Sequence, residues 1–575
     1  MTSYSNADIA RILREIAVYL DMDSVPFKPR AYEKAAYAVE ALDEPLAEIF
    51  HCGGFKAICE VPGIGKSIGE KISVLLQTGS LAYYEELRSK TPVDLGRLTA
   101  IDGLGPKMIK VLYHELGIKT LDDLETAALA GKIRTLPHFG EKSEQKILKG
   151  ISFVKKSTGR FVLGAILPLI KAIEARLRQL PGVKRTAVAG SIRRWKETVG
   201  DGDILVISAK PEAVMDFVVQ MPEVVHVHGK GPTKSSVKLS TGMDLDVRVV
   251  PEESFGAALN YFTGNKDHNV ALRRLALARK LKLNEYGIFR GDRAIAGKTE
   301  EEVYAVLGLP YIPPELRENR GEIEAAFAGE LPKLIEYGDL RGDLQIQTTW
   351  TDGQNSIEEM VAEAKRLGRE YIAITDHTKS LAMTGGSDEE KLGQQMAAID
   401  KLNRKLDGIT VLKGAEVNIN KDGTLDIEDE TLAQLDVVGV AVHSHLNLSR
   451  EEMTRRVIRA MENPHADILF HPTNRILNRR EPVDLDIDAV IAAAKRTGTV
   501  LEIDAYPDRL DLKDEHVRKA VAAGVKLAID TDAHNTAHLP YLEFGVATAR
   551  RGWARKADVI NTKPLKAFLA CLKRA

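Results

Sequence analysis

The strongest constraint on the fold is a regular alternation of apolar, strand-like runs with helical segments across residues 340–575. Such alternation is typical of parallel β/α units, and its repetition predicts an α/β barrel. Loops after parallel strands open at one end of a barrel, so side chains in those loops are expected to converge. The predicted strands are residues 371–374, 410–412, 437–442, 468–470, 500–503 and 526–529.

Residues of metal-binding type follow most of these strands. Histidine and carboxylate side chains are the usual protein ligands of Zn²⁺ and Mn²⁺. A single histidine after a strand is more often structural, and we interpret His445 and His465 in that way. The pattern at successive strand ends predicts a metal centre at one mouth of the barrel. Its candidate ligands at the strand ends are Asp376, His377, Glu416, His443, His471, Asp532 and His534.

A second acidic pattern lies in the middle of the chain. A Gly190-Ser191 turn precedes Asp201-Gly202-Asp203, which runs directly into an apolar strand. Alternate residues of a strand share a face, so the two carboxylates project together and repel each other unless a cation lies between them. Mg²⁺ takes oxygen ligands and keeps substrate phosphates in its shell. A lone Asp-x-Asp is more often a surface turn, so further residues must support the metal interpretation.

That support comes from the alternating run at residues 243–250. It places Asp244, Asp246 and Arg248 on one face of a second strand. A third carboxylate on a neighbouring strand would complete a two-metal site for phosphoryl transfer. Asp244 and Asp246 are both candidates for that third ligand. Arg193, in the preceding turn, is expected to face solvent.

Three glycine-containing turns recur in the first 150 residues, at 61–66, 101–107 and 136–142. Each combines an apolar residue, a tight turn and a helix that opens near a lysine. Glycines permit the turn, and the free N–H groups of a helix start can bind a phosphate oxygen. The copies resemble helix-hairpin-helix motifs and predict sequence-independent contacts to the DNA backbone. The glycines concerned are Gly63, Gly65, Gly103 and Gly105, and the third copy lacks its first glycine.

Taken in order, these motifs resemble a family X DNA polymerase over most of residues 1–317. Gly-Ser-x-Arg-Arg, Asp-x-Asp and Asp-x-Arg are followed by Tyr261-Phe262-Thr263-Gly264 and then Leu283-Asn284-Glu285-Tyr286. The resemblance implies that Asp201, Asp203 and Asp246 bind the catalytic Mg²⁺ or Mn²⁺ ions. Asp244 is then interpreted as a solvated or structural carboxylate. The resemblance also implies that the incoming triphosphate is held by Gly190, Ser191 and Arg194, assisted by Arg160 and Lys234.

The same resemblance implies roles for residues further along the motifs. Tyr261, Phe262 and Gly264 would flank the nucleotide sugar, and Asn269 would reach the minor-groove edge of the base. Lys71 lies where lyase members of the family carry a Schiff-base lysine. The alternative is a phosphate contact or a solvated lysine, and both readings stay open. The expected DNA contacts of this half are Lys234, Arg248 and Arg273.

The C-terminal pattern resembles a PHP (polymerase and histidinol phosphatase) domain, as fused to bacterial and archaeal family X enzymes. The family motif Asp-Leu-His-x-His reads Asp343-Leu344-Gln345-Ile346-Gln347 here. An amide is a poor substitute for imidazole on Zn²⁺ or Mn²⁺, which puts in doubt the metal that these positions share with Glu416 and Asp532. The resemblance implies two other groups: Glu416, His443 and His471, and Asp352, His377 and His534. A weakened 3′→5′ exonuclease or phosphodiesterase and a structural barrel are both open.

The expected fold is multidomain α+β and α/β: helical helix-hairpin-helix domains, a nucleotidyltransferase palm with a small α+β subdomain, and a distorted (β/α)7 barrel. The expected boundaries are 1–85 and 86–150 for two helical DNA-binding domains, 151–255 for the palm, 256–317 for a nucleotide-selecting subdomain, 318–339 for a linker and 340–575 for the barrel.

The bulk composition fits an intracellular enzyme of several domains. A formal net charge of -2 excludes a uniformly basic nucleic-acid coat, and the three cysteines form no zinc or disulfide pattern. No signal peptide or membrane span is expected, so we predict a cytoplasmic monomer that acts on gapped or primer–template DNA with deoxynucleoside triphosphates in base excision repair. The alternatives are a barrel-centred phosphoesterase and a DNA-end-binding scaffold with vestigial sites.

Overall fold

The protein is described by a computed structural model that covers residues 4, 6–40, 42, 44–101, 103–137, 139–156 and 159–573. Asp102 and His138, which belong to the second and third glycine turns, lie outside the described residues. The chain divides into two compact units. The first comprises residues 1–158 with 478–480, and the second comprises residues 159–477 and 481–575.

The first unit is helical in its described part. Apolar residues of the first helix recur at helical spacing, and Ile9, Leu13, Ile16 and Leu20 are all buried in one shared core. The expected helices after the three glycine turns are present as α4, α7 and α9. The helices are α1 (Asn6–Met22), α2 (Lys28–Glu40), α3 (Leu46–Glu60), α4 (Lys66–Thr78), α5 (Ala82–Lys90), α6 (Leu95–Leu98), α7 (Pro106–Leu116), α8 (Leu121–Leu129) and α9 (Glu141–Lys156).

The second unit begins with a mixed five-stranded sheet in the order β2-β4-β7-β6-β5. The strands β4 and β7 run parallel, whereas the other neighbours are antiparallel. Helices α10 and α12 pack on the sheet through buried Ile, Leu, Val and Met side chains. The elements are β1 (Phe161–Val162), α10 (Leu163–Arg178), β2 (Val183–Val188), α11 (Gly190–Arg193), β3 (Thr198–Val199), β4 (Asp201–Ser208), α12 (Pro211–Gln220), β5 (Val224–Lys230), β6 (Lys234–Leu239) and β7 (Asp244–Val249).

A smaller α+β region follows, with a three-stranded antiparallel sheet in the order β10-β9-β8. Its core contains a buried ion pair between Arg317 and Glu300, whose nearest N and O atoms are 2.6 Å apart. The elements are α13 (Phe255–Thr263), α14 (Lys266–Ala278), β8 (Lys282–Asn284), β9 (Gly287–Arg290), β10 (Arg293–Ala296), α15 (Glu300–Val306) and α16 (Glu322–Ala328).

We expect Glu300→Gln to lower the free energy of unfolding of this region by about 3 kcal/mol, because it leaves the buried Arg317 guanidinium unpaired. Burial alone would raise the pKa of Glu300, but Arg317 and Arg193 outweigh it and lower that pKa to about 2. The stabilisation should therefore be complete above about pH 4.5 and lost as the pH falls towards 2. Hydrogen–deuterium exchange of residues 300–317 at pH 7 and pH 3 measures it. Glu301→Gln, at an exposed neighbour, is the control, and equal protection in the two variants would contradict the prediction.

Residues 342–530 supply seven parallel strands in sequential order from β11 to β17. Hydrogen bonds between Gln347 and Ala533 and between Ala533 and Gln345 join the first strand to the segment after the last. The strands are β11 (Gly342–Ile346), β12 (Tyr371–Ile374), β13 (Thr410–Asn418), β14 (Val437–Ala441), β15 (Ile468–Leu469), β16 (Val500–Asp504) and β17 (Leu527–Asp530). The helices are α17 (Ile357–Arg366), α18 (Glu389–Asn403), α19 (Asp429–Leu432), α20 (Arg450–Met461), α21 (Ile487–Thr497), α22 (Asp514–Ala523), α23 (Leu542–Arg551) and α24 (Leu565–Leu569).

The predicted barrel is confirmed, and each of its six predicted strands overlaps an observed one. A seventh strand, β11, carries the altered Asp343-Leu344-Gln345 motif and is completely buried. Continuous burial explains why these strands appear in the sequence as uninterrupted apolar runs. None of the described helices is both long enough and apolar enough to cross a lipid bilayer.

Candidate active sites

The structure brings the three expected carboxylates of the five-stranded sheet together. Asp203 on β4 lies directly opposite Asp246 on the parallel neighbour β7, and Asp201 lies opposite Asp244. Asp246 accepts a hydrogen bond of 2.6 Å from Ser236 and lies 2.8 Å from the Lys234 ammonium group. The Asp-x-Asp pair and the third carboxylate therefore lie together on two adjacent strands of the sheet, as the sequence predicts.

This grouping is electrostatically costly without a cation. Burial, and then the neighbouring Asp201 and Asp246, raise the pKa of Asp203 to about 7. Crowded carboxylate oxygens of this kind are the ligands that Mg²⁺ and Mn²⁺ prefer. The Gly190 backbone adopts a φ of 65°, and a Cβ there would lie 2.8 Å from the Asp203 carboxylate. Only glycine can make this turn so close to the acidic group.

A cavity of about 890 Å³ opens beside the acidic group. Its lining combines basic, aromatic and small residues, which suits a triphosphate attached to a sugar and a base. Arg194 directly follows the short helix α11, lines the cavity and donates a hydrogen bond to the Thr263 carbonyl. The predicted residues in its lining are Arg160, Gly190, Ser191, Arg194, Asp201, Tyr261, Phe262, Gly264, Asn269 and Arg273.

The aromatic motif lies at the end of α13 and also lines the cavity. Tyr261 is partly exposed and packs edge-on against Phe262, with ring centroids 5.1 Å apart. Asn269 donates a hydrogen bond of 2.7 Å to the Tyr261 carbonyl, so one of its amide hydrogens is already engaged. The Arg248 guanidinium lies over the Phe262 ring at 4.6 Å and 3.6 Å from Asp246. Arg248 thus lies between the Asp246 carboxylate and the Phe262 ring.

Two expectations about neighbouring residues have different outcomes. Asp244 is about half exposed and paired with His228 and Lys238, which agrees with its interpretation as a solvated carboxylate. The expectation that Arg193 faces solvent is wrong. Its guanidinium is only 20% exposed, pairs with Glu300 at 2.6 Å and donates to the Thr263 hydroxyl. Its partner Glu300 lies 107 residues further along the chain, so no local pattern in the sequence predicts the ion pair.

The barrel places its metal-type side chains at the carboxyl ends of its strands. The completely buried Glu416 on β13 is at their centre. Its Oε1 lies 2.7 Å from His471 Nε2 and 2.9 Å from His443 Nε2, and its Oε2 lies 3.3 Å from His377 Nδ1. Burial would raise the pKa of Glu416, but His377 and His443 more than offset it and hold that pKa well below its usual range. Glu416 is therefore an anion surrounded by imidazoles.

Two groups of side chains have the spacing of metal ligands: Asp352 with His377 and His534, and His377 with Glu416 and His443. The first group matches the expectation. In the second, His377 takes the place expected for His471, although His471 still touches the same Glu416 oxygen. His443 Nδ1 donates a hydrogen bond to the Asn418 side-chain oxygen, and His534 Nδ1 donates one to the Asp532 carbonyl. The Nε2 atom of each ring therefore stays available to the centre.

The two glutamines change the third subsite. Gln347 Nε2 donates a hydrogen bond of 2.7 Å to Glu416, and its Oε1 has no partner among the described residues. Gln345 is fully buried with neither amide atom bonded in the described part of the chain. Asp532 lies 3.4 Å from the guanidinium of Arg509. No motif in the sequence indicated that Arg509 belongs to this site. The donor set there consists of neutral amide oxygens and carboxylates, which do not favour Zn²⁺.

In the helical unit, the first two hairpins share one geometry. Gly63 and Gly103 have φ values of 94° and 81°, which the tight turns require. Gly65 and Gly105 are the N-caps of α4 and α7, and neither helix start has a side-chain cap among the described residues. The third hairpin differs, because acidic residues occupy the first turn of α9. Negative charge there opposes a phosphate contact.

Lys71 lies on α4, half buried. Its ammonium group donates to the Ser67 carbonyl and hydroxyl at 3.2 Å and lies 4.9 Å from the centre of the Tyr83 ring. The arrangement leaves one ammonium hydrogen for a further partner.

Sequence reasoning missed several residues of the cavity. Lys196, Asn265 and Lys266 belong to its lining. Lys196 follows the Arg193-Arg194 pair directly, so its charge and position were a usable signal. Glu318, which accepts hydrogen bonds from Arg194 and Asn265, has no such signal.

Comparisons with known proteins agree with this architecture. Family matches are a helix-hairpin-helix domain at residues 4–81, a SAM-like helix-hairpin-helix tandem at 95–152, a DNA polymerase beta thumb at 258–318 and a PHP domain at 343–500. The DNA polymerase/3′-5′ exonuclease PolX of Bacillus subtilis is 39% identical over 575 residues, 99% of each chain.

Two further relatives match parts of the chain. DNA polymerase lambda of Rattus norvegicus is 24% identical over 55% of this chain and 57% of its own length. A probable phosphatase of Thermoanaerobacter sp. is 30% identical over 38% of this chain and 90% of its own length. The chain therefore belongs to the PolX family, the family X DNA polymerases that carry a C-terminal PHP domain.

Proposed function

We propose that this enzyme fills short gaps in DNA during base excision repair by two-metal nucleotidyl transfer. The observation that carries the proposal is the facing of Asp203 and Asp246 across β4 and β7, beside a cavity of about 890 Å³ with basic and aromatic walls. Asp201, Asp203 and Asp246 would hold Mg²⁺ or Mn²⁺, which would activate the primer 3′ oxygen and neutralise the leaving phosphate. Insertion of one nucleotide into a gapped duplex is the direct test.

The residue roles follow from their places around the cavity. Gly190, Ser191 and Arg194 are proposed to hold the triphosphate with Arg160, while Tyr261, Phe262 and Gly264 enclose the sugar. Asn269 would meet the base edge. The proposed DNA contacts are Lys234, Arg248 and Arg273, together with the hairpin glycines Gly63, Gly65, Gly103 and Gly105. Lys234 and Arg248 lie beside Asp246, so they would also balance its charge.

For the barrel we propose a 3′→5′ exonuclease that uses two metals and prefers Mn²⁺. The supporting observation is the pair of ligand groups around His377, which involve neither glutamine. Asp532 would belong to the altered third subsite, where Gln345 and Gln347 favour hard cations. The metals would polarise the phosphodiester and lower the pKa of a bound water. The alternative is a structural barrel. Degradation of a labelled 3′ end in Mn²⁺, measured together with the metal content of the purified protein by mass spectrometry, distinguishes the two.

A 5′-deoxyribose-phosphate lyase is a second proposed activity. The half-buried position of Lys71 beside Tyr83 is compatible with a lysine nucleophile. We expect borohydride to trap a covalent adduct on a nicked 5′-deoxyribose-phosphate substrate, and Lys71→Ala to abolish it. Lys66→Ala removes an exposed lysine from the start of the same helix and serves as the control. An adduct that survives Lys71→Ala would rule out this nucleophile.

The remaining proposals concern the context of the enzyme. The substrates would be gapped or primer–template DNA and deoxynucleoside triphosphates, and the protein would act as a monomer. Its three cysteines are free, which is compatible with a reducing cytoplasm. We propose that the domains of the chain end at residues 85, 150, 255 and 317, and that the linker before the barrel ends at residue 339.

A further inference from the structure

The barrel contributes a residue to the surroundings of the nucleotide cavity. Arg551 is the last residue of α23, which packs against the barrel, and its side chain is only 4% exposed. It donates a hydrogen bond of 2.7 Å to the main-chain carbonyl of Arg194, 357 residues earlier in the chain. A second bond of 3.2 Å goes to Glu318, and a third of 2.6 Å goes to Asp514.

Glu318 connects this arginine to the cavity. Its Oε1 accepts from both Arg551 and Arg194 Nε, the latter at 3.0 Å, while its Oε2 accepts from Asn265 at 3.2 Å. Arg194 and Asn265 both line the cavity. Charge-assisted bonds of this kind, made in a site that is about nine-tenths buried, have the strength to restrict a long side chain. Arg551 thus restrains both the backbone and the acidic partner of Arg194.

The barrel also contacts the residues that follow Arg194. Phe544, on the same helix as Arg551, packs edge-on against Trp195 with centroids 5.6 Å apart. Arg475 donates a hydrogen bond of 2.7 Å to Glu197. Three contacts from the barrel therefore hold one four-residue segment of the cavity wall, and Arg551 is the one that reaches the arginine itself.

We propose that Arg551 is a positioning residue for nucleotide binding, so that the barrel takes part in polymerisation apart from any nuclease activity of its own. The inference rests on the proposed role of Arg194 as a ligand of the incoming triphosphate. Arg551 binds the main-chain carbonyl of Arg194, and both arginines bind the Glu318 carboxylate. These contacts hold the Arg194 guanidinium in place in the cavity before the nucleotide binds. Preorganisation of this kind lowers the cost of binding.

The test compares Arg551→Met with Arg550→Met in single-nucleotide insertion into a gapped duplex. Arg550 is the matched control, because it also makes a largely buried ion pair, to Glu315 at 2.7 Å, but contacts the linker region instead of the cavity wall. We expect Arg551→Met to raise the KM for the nucleotide by about tenfold with kcat and DNA affinity little changed, and Arg550→Met to alter KM by less than about threefold. Equal KM values for the two variants would overturn the proposal.

A double-mutant cycle with Arg194→Met separates the positioning role from a general loss of structure. If Arg551 acts through Arg194, its substitution should have little further effect on KM in the Arg194→Met background. An additive effect would overturn the proposal while leaving Arg194 as a ligand. A wild-type KM for Arg194→Met alone would instead overturn the role of Arg194 on which the inference rests. Arg551→Gln repeats the comparison if the methionine variant fails to fold, and a folded Gln variant with wild-type KM also overturns it.

Discussion

Asp246→Asn should lower the rate of nucleotide insertion at a one-nucleotide gap by at least about a thousandfold. The substitution preserves side-chain volume and the Ser236 hydrogen bond, but it removes one of three negative charges that would bind the metal ions. Asp203 and Asp246 face each other across β4 and β7, so the substitution also removes the second carboxylate with which Asp203 would share a cation. Rapid-quench insertion kinetics in Mg²⁺ measure the effect.

Asp244→Asn is the matched control. Asp244 lies on the same strand and face and also lines the cavity, but it is 54% exposed and paired with basic side chains. Its insertion rate should stay within about threefold of wild type, as expected for an exposed ion pair. Thermal melting establishes that both variants fold. Normal insertion by Asp246→Asn would refute the proposed polymerase site. Equal losses in both variants would mean that Asp246 and Asp244 do not have the different roles proposed for them.

Glu416→Gln should reduce 3′-end degradation in Mn²⁺ by at least about a hundredfold and lower the bound metal content, with nucleotide insertion unchanged. The reason is that Glu416 touches His377, His443 and His471 and supplies the buried negative charge of the centre. A glutamine offers one neutral oxygen to the same metals. Degradation is followed on a labelled duplex, and the metal content by mass spectrometry.

Glu428→Gln, at an exposed carboxylate of the same barrel, should retain both properties. Asp246→Asn should retain nuclease activity while losing insertion, which gives the reciprocal separation. Undiminished degradation by Glu416→Gln would show that the barrel is not the nuclease. A wild-type protein that binds metal but degrades no DNA would favour the structural barrel. In that case, replacing Gln345 and Gln347 with histidine should increase the metal content.

Much of the fold was predictable because its signals are local. Apolar strands separated by helices at 340–575 predicted the barrel, and Asp-x-Asp at the start of β4 predicted a shared face. Burial on both sides explains why the barrel strands stood out so clearly. The third hairpin was predicted with its helix, and a helix-hairpin-helix tandem match covers it. The ion pair between Glu144 and Arg134 was not predictable, because it depends on how the turn folds back onto α9.

The candidate sites were predictable in composition but not in their pairings. Strand alternation predicted that Asp201 and Asp203 share a face, and the family resemblance selected Asp246 over Asp244 as the third carboxylate. The regrouping of His377 with Glu416 and His443 depends on how loops after different strands bend towards the barrel axis. Short-range periodicity carries no information about that.

The sequence by itself determined the order of elements, the glycine turns and the residue types available at each strand end, since these depend on local spacing and backbone freedom. Only the tertiary structure decided which charges meet. The pairing of Arg193 with Glu300 and the contact of Arg551 with Glu318 and Arg194 join residues more than 100 positions apart. Buried ions must find partners wherever packing brings them together, and that choice is made by the three-dimensional fold.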